Sequence, residues 1–174
     1  MTPLADRSRK TLLCVLCALL GGAACSDLDR FDNGDGSAYC GQIIDGTFVR
    51  EGFDRQLGLE LRLDMSSLQS VPGEISTFDD QTGPCQPEPL FSHAKLRVPQ
   101  ATLADPLSTL QLDENREQNI VAWVQSNCGG AMLAVVSLMK SDDVEVRLLA
   151  PPGGAEPEGS FGVFHLTRHS SCSF

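Results

Sequence analysis

Leu57, Leu59, Leu61 and Leu63 alternate strictly with Gly58, Glu60 and Arg62. Side chains on a strand point to opposite faces in turn, so this period of two predicts a half-buried strand; a helix would repeat its apolar positions every three or four residues. The same alternation recurs over Ser92–Val98, with Ala94, Leu96 and Val98 inward and Lys95 and Arg97 outward. Ala131–Met139 (AMLAVVSLM) is the most apolar run beyond residue 25, and Val144, Val146, Leu148 and Ala150 alternate after a Lys140–Asp143 turn. Together they predict a hairpin. A continuous run beside an alternating one predicts a central strand covered on both faces.

The rest of the chain reads the same way. Gln42–Arg50 carries β-branched and aromatic residues around Asp45-Gly46 and predicts a hairpin or a bulged strand. Glu74–Phe78 is a short strand after the Val71-Pro72-Gly73 break, Asn119–Ser126 another, and Ser160–Arg168 the last. Thr109–Leu112 reads as strand, with Asp113–Gln118 turning into the next, although Asp105-Pro106 would also start a short helix. Asp79–Pro89 and Pro151–Gly159 are loops rich in Pro and Gly. The expectation is an all-β domain of about eight antiparallel strands, a sandwich or a small closed barrel; periodicity does not separate the two.

Ahead of this domain lies a different kind of segment. Arg7, Arg9 and Lys10 precede the apolar run Thr11–Leu20, and Gly21, Gly22, Ala23 and Ala24 lead into Cys25. A basic start, an apolar middle and small residues before a cut site make a secretory signal peptide. The apolar middle is far shorter than the ~20 residues that span a bilayer. Residues 21–25 resemble the lipobox of bacterial lipoproteins, with Gly22 where that family usually has leucine and Leu20 two positions further back. The resemblance covers residues 1–25. It implies cleavage before Cys25, a lipid on Cys25, and a protein anchored to a membrane of the bacterial cell envelope, inner or outer. Ordinary signal-peptidase cleavage near Ala24 is the alternative, and leaves a secreted protein with a spare thiol. Cys14 and Cys17 form a C-x-x-C inside the apolar segment and read as filler removed with it. The expected organisation is residues 1–24 signal peptide, 25–38 acidic flexible tether, and 39–174 a single β-domain. The tether rests on SDLDRFDNGDGS, which is too polar to order itself.

Beyond Cys25 stand four cysteines: Cys40, Cys85, Cys128 and Cys172. An even number in an exported chain predicts two disulfides. Their spacing is too wide for a zinc cage built from close pairs. Three pairings are open; the preferred one joins Cys40 to Cys172, tying the ends of the domain, and Cys85 to Cys128.

Charge and motifs exclude several functions. The chain has 13 Lys+Arg and 23 Asp+Glu, of which residues 1–24 hold three and one. The remaining formal charge of −12 follows from 10 basic against 22 acidic residues. It opposes nucleic acid and anionic lipid head groups. Asn33, Asp35 and Gly36 fit part of a calcium loop, but Phe31 and Gln42 stand where that loop needs its first and last carboxylates. His165 and His169 share a strand face about 13 Å apart, too far to ligate one metal on a regular strand. Ser92 and His93 point to opposite faces, and Asp79-Asp80 and Asp142-Asp143 sit in turns. No nucleophile elbow, zinc motif or phosphate loop is present. Trp123 is expected in the core, and of Phe161 and Phe164, on opposite faces, at least one is expected outside it. No cofactor or metal is expected. The leading expectation is a non-enzymatic binding or structural lipoprotein with an envelope protein as partner. The alternatives are a lipocalin-like barrel carrying an apolar ligand and a hydrolase with scattered catalytic residues.

Overall fold

A computed structural model describes residues 28–46, 57–78, 85, 87–99, 115–128, 130–150 and 161–172. Among these residues eight strands form: β1 Ala38–Gly46, β2 Gly58–Leu63, β3 Gly73–Phe78, β4 Ala94–Leu96, β5 Arg116–Gln125, β6 Ala131–Met139, β7 Val144–Leu149 and β8 Phe161–His169. They lie in one sheet in the order β4-β3-β2-β1-β8-β7-β6-β5, every pair antiparallel. Apart from β4 and β5, each strand pairs with its neighbours in sequence, and the first pairs with the last. At the remaining seam Arg97 and Trp123 exchange two backbone hydrogen bonds of 2.8 Å each. The sheet is a nearly closed barrel, not a sandwich.

Closure follows from burying one face of every strand. Leu59, Leu61, Ile75, Leu96, Ala122, Val136, Val146, Phe164 and Leu166 all face inward with 0% of their surface exposed. Each of these side chains larger than alanine contributes ~1.5–3 kcal/mol on leaving water. Eight strands enclose a space that side chains alone can fill. Pairing around the ring also leaves little free edge to aggregate.

The alternation of strand direction defines two ends. The start of β1, the β2–β3 link, the β6–β7 turn and the end of β8 gather at one, the clasp end. The β1–β2, β3–β4, β5–β6 and β7–β8 connections gather at the other, the loop end. Cys40 pairs with Cys172 just past β8, and Cys85 with Cys128 at the loop end, with Cα separations of 5.7 and 5.0 Å. Leu90 and Phe91, beside the second disulfide, are fully buried, and Asn127 bonds the carbonyls of Leu90 and Pro89.

Several expectations are corrected. Residues 28–37 are not a free tether: Leu28–Phe31 is a 3-10 turn whose Phe31 is wholly buried against Tyr39. Residues 28–37 therefore belong to the packed domain, ahead of β1 at Ala38. β5 begins at Arg116, because residues 116–118 pair with β6 across a bulge instead of turning. β6 is buried along its inner face and only partly covered on most of its outer face, so its unbroken apolar run does not mark a strand covered on both sides. The Asp45-Gly46 signal resolves as a bulged strand, with a register shift between Ile43 and Asp45. The Asp105–Leu112 ambiguity lies outside the described residues.

β8 crosses β1 so closely at Gly41 that an added Cβ would stand 2.0 Å from the His165 carbonyl oxygen. Because the obstacle is backbone, relief requires the strands to part. Gly41→Ala is expected to cost about 3 kcal/mol, at the upper end for overpacking, measured by urea unfolding. A neutral result would mean that β8 does not coil tightly over β1.

Candidate interaction surfaces

Residues that could carry chemistry are dispersed. His93 Nδ1 is 3.2 Å from Glu74, and Lys95 contacts the same carboxylate. Lys95 first, and then His93, hold the Glu74 carboxyl below its usual range. His165 Nε2 lies 3.5 Å from Asp143, while His169 Nε2 is 2.8 Å from the Thr167 hydroxyl. Among the described residues, no group of three or more His, Cys, Asp and Glu could hold a metal. Cys25 and Asp79-Asp80 lie outside the described residues.

Two surfaces are organised instead. The first is the clasp. Arg168, at the end of β8, donates from Nε to the Ser37 hydroxyl (2.9 Å). Its other nitrogens donate to the carbonyls of Arg30 (2.6 Å) and Asp32 (2.7 Å) and reach both Asp35 carboxylate oxygens at 3.2 Å. The Asp35 carboxyl is lowered to about 2, chiefly by the Ser37 hydroxyl and amide and then by Arg168. The Leu63 amide donates to Asn33 Oδ1 at 2.8 Å and the Met65 amide to Asp32 Oδ2 at 2.9 Å. Arg30 bridges Glu117 of β5 at 2.9 Å and contacts Asp142 in the β6–β7 turn. Polar side chains thus dock this segment by bonding backbone that would otherwise need water.

The second surface is a belt on the outer wall. Trp123, Leu133 and Leu149 are successive partners across β5, β6 and β7. Trp123 is 39% and Leu149 40% exposed, which overturns the core placement of Trp123. The reason is parity: Ile120, Ala122 and Val124 take the inner face of β5, leaving Val121 and Trp123 outside. The next row is Val121, Val135, Arg147 and Val163. Ile44, the extra residue at the β1 bulge, extends this row and is 64% exposed. Bulges re-aim a side chain in this way. Phe164 is buried in the barrel; the side chain of Phe161 lies outside the described residues.

Nearer the clasp end the same wall turns polar. Its next row is Asn119, Ser137, Glu145 and His165. Arg116 reaches across β6 to Glu145 at 3.1 Å, and Arg147 bonds the same oxygen at 2.6 Å. The belt is therefore a mainly apolar band, interrupted by Arg147 and confined to the loop-end half. Only its alternation was visible in the sequence; its contiguity needs the register of five strands. Comparisons with protein-family models, curated proteins and solved structures return no match for this chain.

Proposed function

We propose that this is an exported envelope protein, anchored through a lipid on Cys25, whose barrel is a non-enzymatic docking module. The observation that carries the reading is the Trp123–Leu133–Leu149 row, exposed at Trp123 and Leu149 and half-buried at Leu133, flanked by half-buried Val121, Val135 and Val163 and by exposed Ile44, with Arg147 between Val135 and Val163. Contiguous exposed apolar surface on a soluble domain marks an interaction site, and tryptophan is enriched where binding energy concentrates. Two disulfides fit an oxidising compartment outside the cytoplasm. The carrier alternative draws less support from the interior, where the inward side chains form one packed cluster and expose at most 8% of their surface.

A photo-crosslinking residue at Leu149, on protein in its own membrane fraction, is expected to yield a discrete protein adduct. The same residue at Arg62, on the outer face of β2, is expected to yield none. Trp123→Glu should weaken the Leu149 adduct about tenfold or more, the scale of losing a hot-spot residue. Equal adducts at both positions, or none at Leu149, would count against docking through the belt. A stoichiometric apolar compound extracted from the purified protein would replace this reading with the carrier.

A further inference from the structure

We infer that the clasp end of the barrel is held against the lipid surface, with the apolar belt turned away from it. This rests on the proposed lipidation of Cys25 and adds an orientation to it. The argument is covalent reach. Only Ser26 and Asp27 separate Cys25 from Leu28, where the docked segment begins. Three Cα–Cα steps of ~3.8 Å limit the leash to about 11 Å, whatever conformation those residues take. A tether running from Cys25 to residue 38 would instead reach about 45 Å and leave the barrel free to tumble.

The leash holds because its docked end is fastened at several points. Phe31 is buried, Arg168 and Asp35 pair at 3.2 Å, Arg30 and Glu117 at 2.9 Å, and Asn33 and Asp32 accept from the amides of Leu63 at the end of β2 and of Met65 two residues on. Lipid on Cys25 therefore brings the β2–β3 link and the β6–β7 turn to the head groups. Asp29, Asp35 and Asp142 are exposed at this end, so charge does not draw it to an anionic bilayer. The leash does. Trp123 lies seven residues along β5 from Arg116. At ~3.3 Å per residue and a barrel tilt near 40°, that places it about 18 Å beyond Arg116 along the barrel axis, and nearer to the β2–β3 link across the seam, where Arg97 bonds Trp123 and Val98 bonds Ser70. The belt is thereby presented to a protein partner and kept off the lipid.

The test uses the acylated full protein in vesicles of zwitterionic phospholipid, with a dansyl-headgroup lipid as energy-transfer acceptor. Trp123 is the sole tryptophan and serves as the far probe. In a Trp123→Phe background, Ser170→Trp and Lys140→Trp place near probes at two separate points of the clasp end, just past β8 and in the β6–β7 turn. Both residues are exposed, so neither change disturbs the core. Transfer from each near probe is expected to exceed that from Trp123 severalfold. Inserting a flexible Gly-Ser linker between Asp27 and Leu28 should bring the near probes down toward the Trp123 level. Acylated protein in which Trp123 transfers as strongly as the near probes, or stronger, would overturn the orientation while leaving the anchor intact. So would a linker without effect. An intact mass showing no lipid on Cys25 would remove the anchor itself and the orientation with it.

Discussion

Replacing Cys40 and Cys172 together by alanine is expected to lower the unfolding free energy by about 5 kcal/mol. The two cysteines are 132 residues apart, and cross-linking so long a loop removes about that much chain entropy from the unfolded state. The Cys85–Cys128 pair spans 43 residues, and its removal is expected to cost about 4 kcal/mol by the same relation. The first pair also sits where the two halves of the sheet meet: Cys40 stands opposite Thr167 of β8, and Cys172 follows the end of that strand. Its loss therefore frees the strand that joins the two halves of the sheet. Guanidinium unfolding followed by Trp123 fluorescence reads both variants. If the shorter loop proves the costlier, local packing at Leu90 and Phe91 outweighs chain entropy.

Phe31→Ala is expected to cost about 3–5 kcal/mol, the usual loss when a large aromatic side chain leaves a core. Phe31 has no exposed surface, its ring lies 6.4 Å from that of Tyr39, and the Arg30 guanidinium rests over it at 4.7 Å. The variant should also admit protease cleavage within residues 28–37 under native conditions, because the hydrogen bonds of Arg168 and Asp35 are exposed and hold the segment weakly without the ring. The same result decides between a docked segment and a tether. A loss below about 0.5 kcal/mol, typical of surface substitutions, would restore the tether and remove the short link on which the proposed orientation rests.

Much of the fold was legible because apolar periodicity reports burial directly. The leucines at 59, 61 and 63 and the alternation from Val144 to Leu148 became strands with the expected face inside, and the run at 131–139 became the other strand of the expected hairpin. The preferred cysteine pairing also matches the structure, since tying the first strand to the chain end suits a sheet whose first and last strands adjoin. The errors have a common cause. SDLDRFDNGDGS reads as unordered because composition weighs polar residues against burial. Here those residues bond backbone, Gly34 N to Asp32 and Ser37 N to Asp35, while one phenylalanine supplies the anchor. Trp123 reads as core because large aromatics usually are; its neighbours Ala122 and Val124 hold the inner face.

Local sequence determined which segments are strands, which face of most of them turns from water, and that four cysteines brace the domain. Those properties depend on neighbours two to eight residues away. Closure into a barrel, the docking of residues 28–37, and the joining of Trp123, Leu133, Leu149 and Ile44 into one belt were decided by tertiary structure alone. Each depends on the register between strands distant in the chain, set by inward packing around the whole ring at once, and no window of sequence contains it.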